Sequence, residues 1–201
     1  MAEVAAMDAV DLFTRRIRDH IDVFEQLIDS ECLLKAAKVA IELRTRIADG
    51  AKVFFFGNGG SSMDAGHLAA EFLGRFAFDR PGLPAVCLAD TTAAMTAIAN
   101  DYGYDEVFSR QLEALARSGD VAIALTTSGN SPNVVRAVKT ALRLDVLSVV
   151  LTGRHGGRVA EFADVCIQVP SDETPRIQEA CMALGHTVCE FVEAELFPSS
   201  R

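Results

Sequence analysis

The 201-residue chain has no tryptophan and two tyrosines, and its aromatic content is low. Its five cysteines, Cys32, Cys87, Cys166, Cys181 and Cys189, are odd in number and scattered, with no CxxC pair. That pattern argues against a disulfide framework or a structural zinc knuckle. Most of them lie in apolar runs and read as small core residues. No stretch reaches the roughly 18 uncharged apolar residues needed to span a bilayer. The N-terminus lacks a basic-then-apolar leader, so no membrane is expected and the cytoplasm is the expected compartment. There is no basic stripe either. The tightest cluster, Arg15, Arg16 and Arg18, reads as a solvated helix face in a chain of net charge −9. Nucleic-acid binding is therefore not expected.

Half of the chain is hydrophobic, enough for a sizeable core. Two helices are expected over the first fifty residues. Val10, Leu12, Phe13, Ile17, Ile21, Phe24, Leu27 and Ile28 recur at helical spacing. Ser30 is placed to cap the second helix and Gly50 to stop it. This hairpin, 1–50, should pack on the main domain or on another subunit. From Lys52 onward, short apolar runs alternate with helical stretches. The runs are Val53–Phe56, Ala85–Leu88, Val121–Leu125, Leu147–Leu151 and Val165–Val169, nearly unbroken in hydrophobicity, as strands buried on both faces are. Helical stretches are expected near 62–74, 92–99, 105–117, 132–143 and 156–162, with a long last helix from Pro175 to Leu196. The alternation implies an α/β fold, a doubly wound five-stranded parallel sheet. With no linker or repeat, residues 1–201 read as one domain.

Ligands in such folds bind beyond the carboxyl ends of the strands. After the first strand comes Gly57-Asn58-Gly59-Gly60-Ser61-Ser62. Its glycines let backbone approach a ligand closely, yet it matches neither the dinucleotide fingerprint nor a P-loop. A tight turn with a helix cap explains it equally well. After the third strand comes Thr126-Thr127-Ser128-Gly129-Asn130-Ser131-Pro132. Four hydroxyls surround a glycine, and Pro132 suits a first helical position. A phosphate monoester fits such a helix N-terminus without any basic side chain.

The helix after the first loop carries Asp64, His67, Glu71 and Arg75. His67 and Glu71, four apart, share a face and suit a metal site, an acid–base pair or a plain ion pair. The last helix carries Arg176, Gln178, Glu179, His186 and Glu190. Gln178 and His186 point about 80° apart; Glu179, seven before His186, is another possible partner for it. Asn100 and Asp101 close the helix after the second strand.

Taken together, the segments 54–76, 97–110, 126–137, 151–157 and 176–186 resemble the sugar isomerase (SIS) fold family, and specifically the bacterial phosphoheptose isomerases. The resemblance spans nearly the whole chain and implies a flavodoxin-like sheet and a cytoplasmic homotetramer. It implies that Asn58, Gly59, Gly60, Ser61 and Ser62 line the sugar, that Thr126, Thr127, Ser128 and Ser131 hold the phosphate, and that Asn100 and Asp101 border the substrate, with Arg75 a further contact. One zinc ion per subunit would be held by His67, Glu71, Gln178 and His186, with Glu71 and His186 as the acid–base residues. The implied reaction converts sedoheptulose 7-phosphate to D-glycero-D-manno-heptose 7-phosphate through an enediol, the first step toward nucleotide-activated heptose. Three positions depart from the pattern: Gly66, Cys181 and Thr126. The competing expectation is a non-catalytic SIS protein that binds the replication initiator; such proteins tend to lack the glutamate at position 71. A third reading is an SIS isomerase acting on a different sugar phosphate.

Overall fold

In a computed structural model that describes residues 2–198, and side chains from residue 6 onward, five parallel strands form one sheet in the order β2-β1-β3-β4-β5. They are β1 (Val53–Gly57), β2 (Ala85–Cys87), β3 (Val121–Thr126), β4 (Leu147–Thr152) and β5 (Val165–Gln168). The helices are α1 (Ala2–Ile28), α2 (Glu31–Ala48), α3 (Gly60–Leu73), α4 (Thr92–Tyr102), α5 (Ser109–Leu115), α6 (Pro132–Arg143) and α7 (Thr174–Leu196). Side chains alternate across each strand. Val53 and Phe55 join α2, α3 and α7 in one core layer. Phe54 and Phe56 join α5 and α6 in the other. All five residues of β1 and all six of β3 are buried, which is why those runs carry no polar alternation.

The helical hairpin is present. Ser30 caps α2 by accepting the Cys32 N–H at 3.2 Å, and Gly50 takes φ 91° just beyond its end. The apolar periodicity of α1 does not, however, seat it in this fold. Val23 and Leu27 are buried, whereas Phe13 is 70 % exposed and Met7, Val10, Ile17 and Ile21 are exposed as well. Polar contacts hold α1 to α7. His20 Nδ1 lies 2.8 Å from Glu179 Oε2, and Arg176 donates to the Arg16 carbonyl at 2.8 Å. Glu179 therefore pairs with His20 and Arg176 rather than with His186. No helix is long and apolar enough to cross a membrane among the described residues.

Two expected helices are shorter than their periodicity suggests. Over 105–117 the chain makes a 3₁₀ turn at Tyr104–Glu106, drives Val107 and Phe108 fully into the core, and only then forms α5. Over 156–162 a 3₁₀ turn at Arg158–Glu161 replaces the helix. Gly156 and Gly157, at φ 72° and 63°, are consumed in a close backbone approach to Gly129.

The connection from α3 to β2 is held by a buried ion pair. Glu193 on α7, 1 % exposed, receives Arg80 Nε at 2.8 Å and the N–H groups of Phe76 and Ala77 at 2.7 and 2.6 Å. Arg80 also donates to the carbonyls of Glu71, Phe72, Gly74 and Pro81. Burial pushes the Glu193 carboxyl up, but the N–H groups of Ala77, Phe76 and Phe78 and the Arg80 guanidinium outweigh it and hold the group below the ordinary glutamate value. Stability from this group is thus present above the unfolded pKa of about 4.3 and is lost as pH falls through the lower folded value. Glu193→Gln, which strands the Arg80 charge, should cost about 3–5 kcal/mol at neutral pH in urea unfolding. It should also flatten the acid limb of stability against pH; an unchanged acid limb would show that Glu193 does not contribute to it.

Candidate active site

Winding reverses between β1 and β3, so the loops leaving these adjacent strands face each other across a crevice. Gly57 makes their approach possible. A methyl group there would lie 2.7 Å from the Leu125 carbonyl and 2.7 Å from that of Ser61. The Asn58 amide donates to Asn133 Oδ1 at 2.8 Å and accepts from Asn133 Nδ2 at 2.9 Å. This reciprocal amide pair joins the two loops. Tyr104 adds its hydroxyl to Asn58 Oδ1 at 3.0 Å, and Asn133 Oδ1 also receives the Val134 N–H. Nothing in the sequence singles out Asn133 or Tyr104, because the contacts span 75 and 46 residues.

The hydroxyl loop between β3 and α6 is folded on itself. Asn130 N–H donates to Ser128 Oγ at 3.2 Å, and the Asn130 carbonyl oxygen of the side chain receives the Arg158 N–H at 3.0 Å. Gly129, at φ 66°, has no room for a β-carbon against the Gly156 carbonyl. Ser131 stands at the N-cap of α6 but makes no side-chain capping bond, and Pro132 opens the helix. The Ser131 hydroxyl and helix N-terminus thus remain available to an anion. Thr126 is buried at the end of β3 and Thr127 is partly so. In the first loop Ser62 Oγ donates to the Gly59 carbonyl at 2.6 Å, and Ser61 is buried.

Gln178 links this loop to α3. Thr126, Thr127, Ser61, Asp64 and Gln178 line one narrow cleft. The Gln178 amide lies over Gly60 and 3.5 Å from Asp64 Oδ2. Burial pushes the Asp64 carboxyl above its ordinary value, against the opposing pull of Gln178 and His67. One turn along α3, His67 Nε2 lies 3.3 Å from Glu71 Oε1 and 2.9 Å from His186 Nε2 of α7. One donor atom from each of these three side chains lies within 4.8 Å of the others. The two imidazole nitrogens can share one proton, the donor being set by the tautomer, or turn their lone pairs with the carboxylate toward a cation. These three side chains could together hold a metal ion. Phe76 lies against His186, with ring centroids 5.8 Å apart.

The remaining expected residues sit apart from this cluster in the chain's own contacts. Asn100 and Asp101 lie exposed in the last turn of α4, with the Asn100 amide on Asp101 Oδ1 at 2.8 Å. Arg75 is exposed just beyond α3; the arginine that touches Glu71, through its carbonyl oxygen, is Arg80. Of the three departures, Gly66 faces Asp90, whose carboxylate would be 3.3 Å from an added β-carbon. Cys181 is buried, its thiol pushed up to about 12 by desolvation and by Asp64 and Cys32. Thr126 pairs in register with Thr152.

Residues 13–153 match the SIS domain family. The phosphoheptose isomerase of Burkholderia pseudomallei (strain 1710b) is 50 % identical over 171 residues, which covers 85 % of this chain and 87 % of that protein. Among solved structures, the phosphoheptose isomerase of Neisseria gonorrhoeae superposes with a TM-score of 0.86 at 37 % identity, covering 92 % of this chain and 98 % of that one. That of Francisella tularensis gives 0.89 at 30 % identity with the same coverage. Sequence and fold agree, and the chain belongs to the phosphoheptose isomerases of the SIS domain family.

Proposed function

We propose that the protein converts sedoheptulose 7-phosphate to D-glycero-D-manno-heptose 7-phosphate, with Glu71 and His186 moving the protons. The observation that carries this reading is the convergence of His67, Glu71 and His186 from two helices, 119 residues apart in sequence. The hydroxyl loop on the neighbouring strand supplies donors for a phosphate: Thr126, Thr127, Ser128 and Ser131, with the N-terminus of α6. Asn58, Gly59, Gly60, Ser61 and Ser62 line the sugar, with Asn100, Asp101 and Arg75 at its border.

The reaction moves a proton between C1 and C2 through an enediol. Glu71 takes the carbon-bound proton from C1 and returns one to C2. One of its oxygens faces His67, which leaves the other for the proton. His186 passes the accompanying proton between the two substrate oxygens. His67, Glu71, Gln178 and His186 would hold a zinc ion, which would supply Lewis-acid polarisation of the carbonyl oxygen.

We further read the protein as a homotetramer in which the exposed apolar side chains of α1 are covered by other copies. Light scattering should give four times the 21.6 kDa chain mass; a monomer at micromolar concentration overturns this.

Two further experiments test the site. Purified, chelator-treated protein should isomerise sedoheptulose 7-phosphate only after zinc is restored, and Glu71→Gln should abolish turnover while still binding the substrate. Metal-independent turnover would remove zinc from the reading, and a near-native Glu71→Gln would remove Glu71 as the base. Asn133→Ala leaves the Asn58 amide and the Val134 N–H without their partner. It should cost about 1–3 kcal/mol of stability and raise KM several-fold; an unchanged KM would show that the amide pair does not shape the sugar-phosphate site.

A further inference from the structure

We infer that Arg80 and Glu193 are positioning residues for the isomerisation, acting as one clamp on both proton-transfer side chains. Neither touches the site's donor atoms. Arg80 Nη2 holds the Glu71 carbonyl at 2.8 Å, and Nη1 holds those of Phe72 and Gly74 at 2.8 and 3.0 Å. These are carbonyls at the C-terminal end of α3, most of them past their last helical partner. One guanidinium therefore fixes the backbone that carries Glu71. The other half of the clamp reaches His186. Glu193 Oε2 receives the Phe76 N–H at 2.7 Å, and the Phe76 ring lies 5.8 Å from the His186 ring, centroid to centroid. Glu193 is also seven residues beyond His186 on α7, two helical turns along nearly the same face.

The pair is fully enclosed, 2 % and 1 % exposed. A buried pair is weak evidence for stability as such, because apolar residues can replace it without loss. What apolar residues cannot do is bind four carbonyls and three backbone N–H groups in one fixed arrangement. The clamp thus ties the end of α3 that carries Glu71 to α7, two turns beyond His186. Groups that orient ligating and catalytic side chains from behind typically govern metal affinity and activity together.

This inference rests on the reading of Glu71 and His186 given above. Its test compares Arg80→Lys, Glu193→Gln and Phe76→Leu with Leu112→Ala, a core truncation on the opposite face of the sheet that destabilises without touching the clamp. Circular dichroism and light scattering establish which variants are folded and assembled. Folded clamp variants should lose about 10–100-fold in kcat and in zinc affinity, measured by titration into chelator-treated protein, with KM unchanged. Leu112→Ala should lower Tm while kcat and zinc affinity stay at the parent level. Clamp variants that lower Tm yet keep both parameters overturn the inference and leave a purely structural pair. If Arg80→Lys and Glu193→Gln do not fold, Phe76→Leu decides, since it leaves the ion pair intact: a reduced kcat supports the clamp and a parental kcat overturns it. An inactive Glu71→Gln beside a fully active Phe76→Leu refutes only the clamp, whereas an active Glu71→Gln refutes the reading beneath it.

Discussion

Parallel strands cannot be joined by tight turns, so each must be followed by a crossover that covers one face of the sheet. With β1 and β3 adjacent and the winding reversed between them, two crossovers depart in opposite directions and leave a cleft where no helix can fill the space. Everything chemical in this chain is arranged around that cleft. The hydroxyl loop stands on one lip, the glycine loop on the other, and Gly57 lets the two backbones meet where any β-carbon would hold them apart. The Asn58–Asn133 amide pair then closes the gap with neutral groups, so the lips are joined without a charge that would compete for an anion.

The strands and the two loops were legible because a parallel sheet writes itself as unbroken apolar runs, and punctuation by Gly, Ser and Thr after a run marks where the backbone turns outward. The four-residue spacing of His67 and Glu71 was legible for the same local reason. Pairings across the fold were not. His67 meets His186 over 119 residues, which only the family resemblance anticipated, while Asn58 meets Asn133 and Arg80 meets Glu193 over 75 and 113 residues with no sign in the sequence. A polar partner at that distance leaves no periodic trace. Glu179 shows the hazard of reading one helix alone: its seven-residue spacing from His186 looked like a pair, yet His20 of α1 and Arg176 claim it. The helix expected over 156–162 failed because periodicity does not register a backbone that must turn left-handed at two successive glycines.

Three residues expected to depart from the family pattern, Gly66, Cys181 and Thr126, each sit in close quarters in this fold. Gly66, immediately before His67, faces Asp90, whose carboxylate would lie 3.3 Å from an added β-carbon and would have to give slightly. Cys181, three residues after Gln178, is a buried thiol pushed far from ionisation and thus a filler rather than a ligand. Thr126 adds a methyl group at a buried position that pairs with Thr152, whose own hydroxyl finds no partner among the described residues.

The bare flank of α1 ties the fold to its surroundings in another way. Phe13 and its apolar neighbours are exposed on this chain; in the homotetramer proposed above, where other copies would cover them, that contribution to stability would come through mass action. Its order is then a property of how many molecules share the solution. In that assembly, dilution would act on the segment much as a mild denaturant does, loosening the first helix from its neighbours.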